Sequence, residues 1–249
     1  MQKYKAILWD LDQTLLDFNK SQSFALRYTF DKLNLAITEQ IINRYADIND
    51  SYWKRYERGE ITKEEVLIGR FITLFEELHI THIRAEEIHG IYQDTLGSVF
   101  YFMEEADRLV AILKEKGFRQ YIVTNGVNKT QARKVKLSGL DRLMDGVFVS
   151  ELIGYPKPQK EFFDACFTYL AEQDADSDEK KNKRGSDRFD KGKCILVGDS
   201  LTSDMTGGLT ASIDTCWYNP EAHTNTLDLK VTYEIRSLWE LPEILGIEL

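Results

Sequence analysis

A disulfide or zinc framework is the first thing this chain lacks. Its 249 residues hold three cysteines, Cys166, Cys194 and Cys216, and no Cys-x-x-Cys pair. An odd, scattered set argues against both frameworks and leaves buried free thiols as the expectation. Long apolar runs are missing too: no stretch reaches the ~18 residues of a membrane span, and the run before Asp10 is too short for a signal-peptide core. The expectation is a reduced, cytoplasmic protein with no membrane partner. Basic charge is also short, with 32 Lys and Arg against 41 Asp and Glu and a net charge of −9. Such a chain repels a polyphosphate backbone, so a nucleic-acid polymer is disfavoured as partner. A small anionic substrate would need local positive charge or a metal ion. No internal repeat stands out at periods of about 20–50 residues, which sets repeat architectures aside.

What is there is globular: 43% hydrophobic and 29% charged residues, with length for one large domain or a domain plus a smaller one. The apolar run Tyr4 to Trp9 reads as a buried strand that breaks on Asp10-Leu11-Asp12. From about 19 to 97 the pattern is helical throughout. Ile41, Tyr45, Ile48 and Tyr52 share one stripe, closed by Gly59. Thr62-Lys63-Glu64-Glu65 is a capping box, followed by the apolar face Leu67, Phe71, Leu74, Phe75 and Leu78. Another helix is expected from about Ala85 to Leu96. Strand and helix then alternate. A helix through Leu109, Val110 and Leu113 closes at Gly117, and a strand Tyr121-Ile122-Val123 ends on Thr124-Asn125-Gly126. A polar helix follows to Leu137, then a strand Val147–Val149 and a helix through Phe162, Phe163, Cys166, Phe167 and Leu170. The strand Cys194–Val197 ends on Gly198-Asp199, and Ile213 to Trp217 is the last clear strand. This alternation predicts an α/β fold: a Rossmann-like parallel sheet between two helical layers, with a helical bundle inserted after the first strand. The expected core is 1–18 with 98–249, and the inserted cap is 19–97. The segment 172–193 carries 14 charged residues of both signs in 22 positions and reads as a solvated surface excursion.

Ligands of an open parallel sheet bind beyond the carboxyl ends of its strands. Those ends deliver Asp10 and Asp12, then Thr124, Asn125 and Gly126, then Asp199, and the loop after the Val147 strand adds Lys157 between Pro156 and Pro158. Each part has a plainer reading alone: helix capping for the aspartates, a simple turn for Thr124, an exposed chain for Lys157. Together they converge on one edge. Crowded carboxylates repel and call for a cation, and aspartate oxygens suit Mg²⁺, with Asp10 and Asp199 as its natural side-chain ligands. Thr124 and Lys157, with the backbone N–H groups of Asn125 and Gly126, suit non-bridging phosphate oxygens.

These segments resemble, in order, the four motifs of the haloacid dehalogenase-like phosphohydrolases: Asp10-Leu11-Asp12-Gln13-Thr14, then Thr124-Asn125-Gly126, then Lys157-Pro158, then Gly198-Asp199-Ser200 with Asp204. The likeness spans about 10 to 220, and the helical insertion resembles that superfamily's first cap class. Ile48-Asn49-Asp50-Ser51-Tyr52-Trp53, Tyr56 to Thr62, Arg70-Phe71, Gly207-Gly208 and Thr215 to Asn219 are similar to the house-cleaning pyrimidine 5′-nucleotidases. Thr210 and Ser212 stand where relatives tend to have Asn and Gly.

The resemblance implies a Mg²⁺-dependent phosphomonoesterase acting on a small phosphate monoester, a pyrimidine nucleoside 5′-monophosphate by preference. Asp10 would be the nucleophile and Asp12 the acid and base. It further implies the main-chain carbonyl of Asp12 as a metal ligand beside Asp10 and Asp199. Asp204 would support the site from behind, holding Lys157 or a metal-bound water. Trp53, Tyr52, Tyr56 and Arg70 could touch a base, but a core role is the plainer reading of each. A sugar phosphate or phosphoglycolate is the alternative substrate. A haloacid dehalogenase needs no acid at Asp12, and a receiver domain carries its acceptor Asp after the third strand, so both are disfavoured.

Overall fold

The computed structural model describes residues 3–181 and 190–248. In chain order its elements are β1 (Ala6–Trp9), α1 (Phe18–Lys32), α2 (Glu39–Glu57), α3 (Lys63–Glu77), α4 (Ala85–Leu96), α5 (Ala106–Glu115), β2 (Arg119–Thr124), α6 (Asn128–Ser138), β3 (Gly146–Val149), α7 (Ser150–Ile153), α8 (Lys160–Lys181), β4 (Cys194–Gly198), α9 (Thr206–Ala211), β5 (Asp214–Tyr218), β6 (Tyr233–Ile235) and α10 (Leu241–Ile244). Of the charged stretch 172–193, expected to leave the helix, residues 172–181 instead continue α8, and residues 182–189 lie outside the described residues.

The six strands form one sheet in the order β3-β2-β1-β4-β5-β6, and every pairing is parallel. This is the Rossmann-like α/β sheet that the alternating pattern predicts. Strands buried on both faces read as unbroken apolar runs, and β1 is fully buried along its length. On one face Ala6, Leu8, Tyr121, Val123, Cys194 and Leu196 pack against Phe162, Phe163, Cys166 and Leu170 of α8. Phe162 and Phe163 are fully buried, and each stabilises the fold by about 1.5–3 kcal/mol. On the other face the indole of Trp9 donates to Gln120 Oε1 at 3.1 Å, and Gln120 Nε2 donates to the Val110 carbonyl of α5 at 2.7 Å. The strand β6 was not expected. Its three residues hold a single buried apolar side chain, Ile235, too few for a period of two to show.

Contacts divide the chain into two compact units. One holds residues up to Leu15, Met103–Gly126 and those from Leu140 onward; the other holds Leu16–Phe102 and Val127–Gly139. The sheet belongs to the first. The second is a helical bundle whose core joins Leu26, Phe30, Tyr45, Phe71, Leu74 and Tyr92. Tyr45, Phe71 and Tyr92 contact one another with ring centroids 5.1–5.6 Å apart. The capping box forms as read: Thr62 Oγ1 accepts from Glu65 N, and Glu65 Oε2 accepts from Thr62 N at 2.7 Å. This unit also takes α6, which the expected boundaries 19–97 leave out. Side chains explain it: Lys129 and Arg133 pair with Asp94 of α4, and Thr130 Oγ1 donates to Gln93 Oε1 at 3.0 Å. No helix among the described residues is long and apolar enough to cross a membrane.

Candidate active site

The chain runs outward from β1 to β2 and β3, then crosses back to β4 on the other side of β1. The strand order therefore reverses between β1 and β4, and a crevice opens there beyond their carboxyl ends. Asp10 leaves β1 at that point, its N–H donating to the Val197 carbonyl of β4 at 2.9 Å. Asp199 leaves β4 beside it. Asp204 arrives from the π-helical turn Leu201–Met205 that follows β4, and its Oδ2 accepts from the Ser200 N–H at 3.1 Å. Gly198 makes room for it, since a Cβ at that position would collide with the Asp204 carboxyl.

Lys157 joins these groups. Its Nζ donates to Asp10 Oδ1 at 2.7 Å, to Asp204 Oδ1 at 2.6 Å and to the Val123 carbonyl at 2.9 Å. Three acceptors satisfy the three N–H bonds of an ammonium, so this 1% exposed lysine is held in one geometry. Burial opposes its charge, but Asp10 and Asp204 outweigh burial and raise its pKa. Burial also pushes Asp10 up to about 7, with Lys157 pulling it down and Asp204 and Asp12 pushing it further up. Asp199 is raised well above the usual carboxylate range by burial and by the charges of Asp10 and Asp204.

The remaining expected residues take up different positions. Thr124, buried, ends β2, and its Oγ1 accepts from the Gly126 N–H at 3.1 Å. The side chain of Asn125 grips the backbone of Lys157 from both sides: Oδ1 accepts from Lys157 N and Nδ2 donates to Lys157 O, both at 2.9 Å. Asn125 thereby sets the lysine loop, a role that its place in the sequence did not suggest. Thr14, fully buried, makes a long 3.5 Å contact from Oγ1 to Asp199 Oδ1. Asp12 is half-buried on the loop after β1, and its carboxylate stands outside the Asp10, Asp199 and Asp204 group. In the helical unit Tyr52, Trp53 and Tyr56 are half-buried, whereas Arg70 is 1% exposed and donates to Asn49 Oδ1 at 2.5 Å among the Tyr45, Phe71 and Tyr92 rings. Arg70 is thus a core residue of that unit.

The donor set fits a hard divalent cation. Asp10, Asp199 and Asp204 each offer a carboxylate oxygen, all within 4.8 Å of one another, with no sulfur or imidazole among them. Three carboxylates face one ammonium, and burial, with the repulsion among the carboxylates, raises the pKa values of Asp10 and Asp199.

The same frame recurs in known proteins. The family model for haloacid dehalogenase-like hydrolases matches residues 4–211. The chain is 35% identical to the HAD-hydrolase YfnB of Bacillus subtilis over 248 residues, covering all of this chain and 98% of YfnB. It is 32% identical to the pyrimidine 5′-nucleotidase PynA of Streptococcus pneumoniae, covering 97% of this chain and 95% of PynA. The pyrimidine 5′-nucleotidase YjjG of Escherichia coli is 26% identical, with 98% of each chain covered. A crystal structure of YfnB bound to magnesium superposes with a TM-score of 0.85 at 34% identity, covering 99% of this chain and all of that one. A crevice lined by Asp10, Lys157 and Asp199, at the strand reversal of a chain matched from residue 4 to 211, places this protein among the haloacid dehalogenase-like hydrolases.

Proposed function

We propose that this protein is a Mg²⁺-dependent phosphomonoesterase that hydrolyses nucleoside 5′-monophosphates, pyrimidine ones by preference, with the helical unit as its cap. The observation that carries the reading is the Lys157 ammonium bonded at once to Asp10 and Asp204 beside Asp199. It supports a reading in which Asp10 as nucleophile, Lys157 as fixed cation and a carboxylate cluster share one crevice. The pyrimidine preference draws support from PynA and YjjG, both named pyrimidine 5′-nucleotidases. The three buried free thiols suit a reducing, cytoplasmic setting.

In this reading an Asp10 oxygen attacks phosphorus in line as the bond to the ester oxygen breaks, leaving an aspartyl-phosphate. Asp12 gives its proton to the departing ester oxygen. It then takes a proton from the water that attacks the acyl-phosphate, releasing phosphate and restoring Asp10. Lys157 holds the Asp10 carboxylate by a 2.7 Å bond and lends positive charge to the phosphoryl oxygens. Thr124 and the N–H groups of Asn125 and Gly126 orient the same oxygens. Asp10, Asp199 and the Asp12 carbonyl would hold Mg²⁺, with Asp204 behind them on Lys157, and the cation would supply charge neutralisation for the dianionic ester.

A panel of phosphate esters assayed with Mg²⁺ and with EDTA tests this. Pyrimidine nucleoside monophosphates are expected to be the best substrates, with turnover lost in EDTA. A sugar phosphate or phosphoglycolate as best substrate would move the substrate assignment and keep the chemistry. Asp10→Asn should abolish phosphate release while the far-UV circular dichroism stays that of the wild type. Undiminished turnover in that variant would sink the mechanism.

A further inference from the structure

The Asp199–Ser200 peptide is held from both sides by side chains. Trp217 of β5, 3% exposed, donates its indole N–H to the Asp199 carbonyl at 2.8 Å. The Ser200 N–H of the same peptide donates to Asp204 Oδ2 at 3.1 Å. The sheet register explains the reach: Trp217 is the strand partner of Gly198, the last residue of β4, so its ring lies beside the first residue to leave the ladder. Beyond Gly198 no strand pairing holds the backbone, and the orientation of the Asp199 side chain depends on that of its peptide. The other oxygen of Asp204 takes Lys157, which in turn bonds Asp10. The indole is thus the outer end of a chain of bonds that reaches Asp204, Lys157 and Asp10. It touches none of the reacting atoms.

We propose that Trp217 is a positioning residue for divalent-cation binding: its indole N–H fixes the Asp199 peptide so that the Asp199 carboxylate faces Asp10. The proposal rests on the reading of Asp10 and Asp199 as cation ligands. Losing the N–H leaves a half-buried carbonyl without its donor and the peptide held from the Asp204 side alone. Bonds that orient a ligand from behind change metal affinity by about 10–100-fold when removed.

The test replaces Trp217 site-specifically with benzothienylalanine, which keeps the bicyclic shape and puts sulfur where the N–H was. Mn²⁺ binding to the full chain without substrate is read from the electron paramagnetic resonance of free Mn²⁺, and Mg²⁺ binding by calorimetry. The expected result is a Kd about tenfold higher for either cation, with the metal-free far-UV circular dichroism unchanged. Trp217→Phe, made in parallel, should show the same rise. The same analogue at Trp239, whose N–H donates to the Glu104 carbonyl at 2.7 Å, should bind as the wild type does. An unchanged Kd in both Trp217 variants overturns the proposal, as does an equal rise at Trp239. Wild-type protein that binds neither cation would instead overturn the ligand reading on which it rests.

Discussion

Lys157 spends its three N–H bonds on Asp10, Asp204 and the Val123 carbonyl, and the carboxylates around it have no other ammonium bonded to them among the described residues. Lys157→Met should therefore lower stability by about 3–5 kcal/mol, since removing one partner strands the buried charge of the other. Urea denaturation in EDTA measures this, and a loss under 1 kcal/mol would show that the ammonium contributes little to the fold. A second residue gives a pH signature. Burial, with the Arg70 guanidinium beside it, pushes His89 down to about 4, against an ordinary value of 6.5. The unfolded chain takes up the proton first as pH falls, so His89 contributes stability above pH 6.5 that is lost on acidification through about 4. His89→Gln should flatten the fall of the urea midpoint across that window; an equally steep fall would exclude His89 as its source. At this scale the sequence was legible where chemistry follows a strand directly. Asp10 and Asp199 are polar residues at the ends of apolar runs. The Asn125 grip on Lys157 was not legible, because it joins groups 32 residues apart and leaves no periodic trace.

Local signals placed the elements well where they were dense. The Thr62 capping box and the helix from Ala85 to Leu96 stand where the pattern puts them, because capping groups and an apolar stripe act within a turn or two. Ser212 shows a local cost. It closes α9 in the left-handed region at φ 58°, where a side chain is strained and glycine is not. Ser212→Gly should raise stability by about 0.5–1 kcal/mol, the released strain exceeding the backbone entropy that glycine adds. A thermal melt checks it, and a lower melting temperature would mean that the hydroxyl contributes more than the backbone loses. The strand β6 went unseen for the opposite reason: it exists through pairing with β5, and three residues cannot announce that. Membership of α6 in the helical unit was equally hidden, resting as it does on pairs with α4.

For the molecule as a whole, the proposed turnover of an anionic ester by an acidic chain would be no contradiction. Asp10, Asp12, Asp199 and Asp204 belong to the crevice, and a bound cation would reverse the field there while the net charge of −9 still repels a nucleic-acid polymer. Mg²⁺ at about 100-fold over its Kd should raise the melting temperature of the sheet unit by about 5–10 °C, an effect that EDTA reverses. A melt unmoved by Mg²⁺ at every concentration would count against a cation site. By itself the sequence determined the class of fold, the strand ends that carry the polar residues and the type of chemistry they suit. Apolar periodicity and short motifs are local, and they survive in a one-dimensional string. Only the tertiary structure decided that β1 and β4 lie side by side at the reversal of the sheet. It alone showed that Gly198 clears space for Asp204, and that Trp217 and Asn125 hold Asp199 and Lys157 from behind. Those are contacts between distant segments, set by strand order and packing, and neither is written in any single stretch of the chain.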